Sequence, residues 1–118
     1  MKLIIAGGRD FSDYNLLKQS VFNITRKLKK QELIIISGGA NGADRLGERF
    51  AEEFGFETII YKANWKAFGK VAGLHRNNEM SQNSDMLLAF WDKKSKGTKH
   101  MIETAIKDYL KVVVVYYE

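Results

Sequence analysis

A chain of 118 residues with 45% hydrophobic and 28% charged side chains has the size and composition of one folded domain over 1–118, and is neither disordered nor fibrous. It has no cysteine, which excludes disulfides, thiolate metal sites and a cysteine nucleophile, and fits a reducing, cytoplasmic compartment. The formal net charge of +5 favours anionic partners (nucleotides, nucleic acid or an acidic protein), and no apolar run is long enough to span a bilayer, so no membrane partner is expected.

Lys2 to Ala6 is a short apolar run stopped by Gly7-Gly8, which predicts a buried strand. From Tyr14 to about Lys30, Leu17, Val21, Ile24 and Leu28 make a helical stripe, with Lys18, Arg26, Lys27, Lys29 and Lys30 on the polar face. Leu33 to Ile36 is a second strand, ended by Ser37-Gly38-Gly39. A helix from Gly42 to Phe54 follows, with Gly55 as its stop. Thr58 to Tyr61 is the third strand, followed by a loop with Trp65 and Phe68, which either stack on a base or join the core. Lys70 to Gln82 is a third helix and Met86 to Phe90 the fourth strand. A lysine-rich loop, Trp91 to Gly97, leads to a helix over Thr98 to Leu110 and a last strand over Lys111 to Tyr116. With no proline in the chain, its turns rest on Gly, Asn, Asp and Ser.

Continuous apolar strands alternating with helices predict an α/β fold: a Rossmann-like three-layer sandwich whose five-stranded parallel sheet, in order 3-2-1-4-5, carries helices on both faces. Ligands of such sheets bind outside the carboxyl ends of the strands where the order reverses, here between strands one and four. Three loops meet there. The first contributes Gly7, Gly8, Arg9 and Asp10. Arg9 suits a phosphate clamp, and Asp10 either accepts from a ribose hydroxyl or pairs with Arg9. The second contributes Ser37, Gly38, Gly39, Ala40, Gly42, Ala43 and Asp44; its glycines admit close backbone approach, and a helix amino terminus follows. It matches neither the dinucleotide fingerprint nor the P-loop, and without a ligand it reads as a tight strand-to-helix turn. The third offers Trp91 as a pocket wall and Gly97-Thr98 at a helix start. The helix before strand four adds His75, Arg76, Asn77 and Glu79, with an Arg76–Glu79 surface pair as the plain alternative. His75 and His100 share no metal-ligand spacing, so no resident metal or cofactor is expected beyond a nucleotide-derived ligand, with which a magnesium ion is compatible.

Read together, GGRDF, SGGANGAD, AGLHRNNEM and KGTKHMIETA resemble the SLOG superfamily, in particular its small YspA/YpsA-related branch. They are more distantly similar to the cytokinin-activating phosphoribohydrolases and the DNA-processing Smf proteins. The resemblance covers Leu3 to about Ala105 and implies a Rossmann-like fold with a nucleotide or nucleotide-derived ligand. It matches Arg76 to the arginine of the hydrolases' helix motif, and Gly97 and Thr98 to their Gly-Thr phosphate element. Lys93, Lys94 and Ser95 replace the motif's proline and two glycines, and its catalytic glutamate falls on Met101. Glu103 lies two residues, or about 200°, further round the helix.

Three functions follow. The first is a module that binds a nucleotide-derived ligand, as a sensor or sequestering protein, with a homodimer as a plausible assembly. The second is an N-glycosidic hydrolase, with Arg76, Asp10, Asp44 and Glu79 as candidate catalytic residues in place of the missing glutamate. The third is single-stranded nucleic-acid binding through the basic face of the first helix, against the plainer reading of a solvated surface.

Overall fold

A computed structural model of the chain describes residues 1–29 and 32–118. Its elements run β1 (Lys2–Gly7), α1 (Tyr14–Thr25), β2 (Ile34–Ser37), α2 (Ala43–Phe54), β3 (Glu57–Ile60), a single helical turn α3 (Trp65–Phe68), a 3₁₀ turn over Gly69–Val71, α4 (Ala72–Gln82), β4 (Met86–Trp91), α5 (Lys96–Lys107) and β5 (Lys111–Tyr116). All strand pairs are parallel and the order is β3-β2-β1-β4-β5, as predicted.

The period of two along the central strands divides the core. On β1, Leu3 and Ile5 face one side, where they join Leu17 and Val21 of α1 and Phe50 and Ala51 of α2. Ile4 and Ala6 face the other, with Met80 of α4 and Met101 and Ala105 of α5. Both faces of β1 and β4 are therefore apolar, which is why these strands read as unbroken hydrophobic runs. Gly47 sets the approach of α2: a Cβ there would stand 2.9 Å from Ile5, so the missing side chain lets the helix lie close on the strand.

The structure shortens the first helix. It ends at Thr25 rather than near Lys30, and Lys30 itself lies outside the described residues. Thr25 Oγ1 donates to the Val21 carbonyl at 2.6 Å, and the Leu28 N–H donates to the Thr25 carbonyl at 2.8 Å. The second bond spans three residues and closes a tighter turn at the helix end, and the threonine back-bond favours a bend there. Arg26, Lys27 and Lys29 are exposed beyond that end. They lie near the amino end of β1, since the Met1 amino group donates to the Glu32 carbonyl and the Ile34 N–H donates to the Met1 carbonyl. The basic cluster thus stands at the sheet edge opposite the strands' carboxyl ends. No helix among the described residues is long and apolar enough to cross a membrane.

Other boundaries shift by one to three residues, and two of the differences have a visible local cause. Trp65 to Phe68, expected as loop, forms one helical turn capped by Asn64, whose Oδ1 accepts from the Ala67 N–H at 3.1 Å. The last helix begins at Lys96, because Ser95 caps it: Ser95 Oγ accepts from the Thr98 N–H at 3.4 Å and lies 3.0 Å from Thr98 Oγ1. Ser95→Ala is expected to cost about 1 kcal/mol of stability in chemical denaturation.

Candidate functional site

The strand order reverses at β1, and the loops after β1, β2 and β4 converge on the resulting crevice. The loop after β1 can enter it because two glycines remove steric bulk. A Cβ on Gly7 would stand 2.4 Å from the Phe90 carbonyl oxygen of β4. The Gly8 N–H donates to that same oxygen at 3.1 Å, while the Gly8 carbonyl accepts from Phe11 and from Ala43 at the start of α2, both at 3.2 Å. Asp10 does not pair with Arg9. Its Oδ1 accepts from the Tyr117 hydroxyl at 2.6 Å, and Gly8 makes room for that contact, since a Cβ there would meet the Tyr117 oxygen at 1.8 Å. Burial, followed by the Asp10 carboxylate, holds the Tyr117 phenol well above its ordinary range, so it stays a donor. Tyr117→Phe removes the donor that orients Asp10 and is expected to cost about 1 kcal/mol of stability, read by thermal unfolding.

The loop after β2 is built round two side chains of α2. Ser37 Oγ donates to Glu48 Oε2 at 2.6 Å and accepts from the Gly39 N–H at 3.1 Å, folding the turn back on its own helix. Asp44, only 5% exposed, accepts the Ala40 N–H at 3.2 Å. The carbonyl of Gly38 accepts from Arg76 Nη1 at 2.7 Å. A Cβ on Gly38 would lie 2.8 Å from Asp44 Oδ2 and 2.9 Å from Arg76 Nη1, so the glycine lets carboxylate and guanidinium approach from two elements. Burial pushes the Asp44 carboxyl up to about 6, against the Ala40 N–H and the Arg76 charge, which pull it down. Burial likewise lowers the pKa of Arg76, with Asp44 opposing and Arg9 adding to the effect.

Arg76 therefore turns inward from α4. Its Nε donates to Asn77 Oδ1 at 3.1 Å and its Nη1 to Gly38, in place of the surface pair with Glu79, which is exposed. Asn77, 5% exposed, reaches across to α5, with Nδ2 3.4 Å from the Gly97 carbonyl and 3.2 Å from His100 Nδ1. After β4, Asp92 Oδ1 accepts the N–H groups of Lys94 and Ser95, each at 2.8 Å, which closes a tight turn in which Lys93 takes a φ of 69°.

A cleft of about 530 Å³ lies among these loops. Of the residues singled out from sequence, Gly7, Gly8, Arg9, Asp10, Ala40, Asp44, Arg76, Asn77, Gly97 and Thr98 line it. Gly38 and Gly39 line an adjoining chamber. Ser37, Gly42 and Ala43 lie behind the loops and shape them. His75 is exposed and stacks on Phe68, with ring centroids 4.0 Å apart. It sits one residue from Arg76 and so about 100° round the helix from it, outside the lining of both chambers, as does Glu79. Trp91 lines neither chamber; its Nε1 donates to the Ser95 carbonyl at 3.1 Å, tying down the turn. Trp65 is 56% exposed at the rim of both chambers. Met101, 1% exposed, lies on the cleft floor, and Glu103 points to solvent. Asp92 and Ser95 on the wall belong to the third predicted loop, Trp91 to Thr98, while sequence reasoning missed Lys70, Leu74 and Met80, and Tyr117 behind Asp10. A tyrosine just past the last strand carries no local signal for a contact with residue 10.

Comparison with known proteins bears on this arrangement. The Gene 61 protein of Mycobacterium phage D29 is 30% identical over 118 residues, spanning 95% of this chain and 94% of that protein. The crystal structure of DNA processing protein A (DprA) from Streptococcus pneumoniae matches with a TM-score of 0.77 at 19% identity, covering 99% of this chain and 50% of that one. The chain thus spans half the length of DprA, and the likeness is one of fold. The profile of the YspA, cpYpsA-related SLOG family matches residues 1–68, which hold the first two loops of the cleft. The chain belongs to this SLOG family.

Proposed function

We propose that the protein binds a nucleoside phosphate, or a molecule built on one, in the cleft where the strand order reverses. The observation that carries this reading is the pair Arg9 and Arg76 beside a floor of Ala6, Met80 and Met101. Two guanidinium groups suit a phosphate, and an apolar floor suits the nucleoside. Arg76 is anchored through Nε and Nη1, so its other N–H donors are held in place at little entropic cost. Asp10, oriented by Tyr117, has a second oxygen for a ribose hydroxyl. Trp65 offers an exposed indole face at the rim for a base. Family membership supports the same class of ligand.

The floor position taken by Met101 supports binding over cleavage. An N-glycosidic hydrolase needs a carboxyl near the ribose, and Met101 stands at the place where the resemblance puts one. One observation favours the hydrolytic alternative: Asp44 borders the cleft with a carboxyl pushed up to about 6, a value suited to a general acid.

Native mass spectrometry with a panel of nucleotides, with free bases assayed in the supernatant, tests both readings. An intact one-to-one complex is expected, weakened about tenfold or more in Arg9→Ala. Failure to retain any nucleotide at millimolar concentration would sink the binding proposal. Release of free base, lost in Asp44→Asn, would establish the hydrolase instead.

A further inference from the structure

Beyond Arg76 a second chamber, of about 620 Å³, opens toward the carboxyl ends of β2 and β3. It adjoins the first, with Arg9, Ala40, Trp65 and Arg76 lining both. The two differ in charge. In the first, Arg9, Lys70 and Arg76 face Asp10, Asp44 and Asp92. In the second, Arg45 and Lys62 join the two shared arginines, and the acid on its wall, Glu48, is engaged by the Ser37 hydroxyl at 2.6 Å. Arg45 Nε donates to the Gly39 carbonyl at 3.3 Å, which holds its guanidinium against the loop that lines the chamber. Gly39, at a φ of +73°, adds a stretch of backbone without a side chain. One chamber is charge-balanced over an apolar floor, and its neighbour is cationic with four basic groups on its wall.

This division matches a ligand with two unlike ends. We infer that the ligand spans both chambers, with its nucleoside part in the first and a second anionic group, separated from the first phosphate, in the second among Arg45, Lys62 and the shared arginines. The substrate class is then nucleotides that carry two spaced anionic groups, as dinucleotides do, rather than nucleoside monophosphates. The inference rests on the nucleotide reading of the first chamber. Arg45 and Lys62 set the preference for the longer ligand, because they line the second chamber alone.

Isothermal titration calorimetry on the whole chain tests this with the four nucleoside 5′-monophosphates, the matching 5′-phosphorylated dinucleotides, and a ten-residue oligothymidylate. A dinucleotide is expected to bind about tenfold or more tighter than its monophosphate. Lys62→Ala and Arg45→Ala, each checked for folding by circular dichroism, are expected to remove that advantage while leaving monophosphate affinity within about twofold. Equal affinity for the two ligands, or equal loss of both in the variants, overturns the two-chamber ligand and leaves the mononucleotide reading standing. Absence of binding by every nucleotide overturns both. Tighter binding of the oligothymidylate than of any dinucleotide, falling steeply with salt and lost in Lys62→Ala, overturns the short ligand in favour of a strand laid across the chambers.

Discussion

Gly42→Ala is expected to destabilise the protein by about 3–5 kcal/mol, a shift in Tm on the order of 10 °C or more. Two costs coincide there. Gly42 sits at φ 77° and ψ −127°, a conformation close to the region that only glycine occupies without strain. Its missing Cβ would also stand 2.2 Å from the Gly8 carbonyl oxygen and 2.6 Å from the carbonyl group of Arg9. These contacts are backbone, so no rotamer change relieves them. The Gly8 carbonyl also accepts from Ala43 and Phe11, so displacing it loosens both loops that frame the cleft. Gly97 supplies the contrast. It lies in α5 with nothing within 4 Å of its Cβ position, and Gly97→Ala is expected to stabilise by about 0.5–1 kcal/mol. Thermal unfolding of the two variants beside the parent checks the pair. A Gly42→Ala protein that melts with the parent would mean that the loops are not locked to each other as described.

The contrast between Gly42 and Gly97 also marks what was legible in the sequence. Strand order and the position of the cleft followed from βαβ alternation and crossover handedness, because the apolar runs Leu3-Ile4-Ile5 and Leu87-Leu88-Ala89 report burial on both faces. The glycine loops and Arg76 were visible as motifs. What stayed hidden depends on contacts between distant residues. Periodicity alone extends α1 past Thr25, since Leu28 keeps the stripe, whereas the backbone there closes a three-residue turn from Leu28 to Thr25. The side chains that hold the site, Tyr117 on Asp10 and Ser37 on Glu48, are ordinary polar residues until the sheet brings them together. His75, read with the Arg76 helix motif, stacks on Phe68, and Trp91, read as a wall at the end of its strand, bonds Ser95, so neither lines the two chambers. Arg45 and Lys62, on separate elements and without a shared motif, line one chamber because β2 and β3 end side by side, with Ser37 in register with Ile60.

Asp44 is expected to give the protein a stability that falls as pH rises through the mildly acidic range. Its carboxyl moves from an ordinary value of 3.8 to about 6 on folding. The folded state therefore holds this proton more tightly than the unfolded chain. The stabilisation linked to it is complete below about pH 4, is lost as pH rises toward about 6, and changes no further above that, for a total of about 3 kcal/mol at most. In Asp44→Asn that decline should be missing, and urea denaturation at intervals from pH 4 to 7 measures the difference between the two proteins. A parallel pair of profiles would mean that burial does not perturb this carboxyl. The same proton couples to the proposed ligand. An anion bound by Arg76 prefers a neutral Asp44, so nucleotide affinity of the parent relative to Asp44→Asn should rise several-fold as pH falls from about 7 to 5. The ligand phosphate's own second ionisation acts on both proteins alike, so the ratio of parent to Asp44→Asn affinity isolates the aspartate. A ratio that rises toward low pH would connect the buried acid to the ligand through the arginine that stands between the two chambers. A constant ratio would remove Asp44 from the binding site and leave it a structural partner of Ala40 and Arg76.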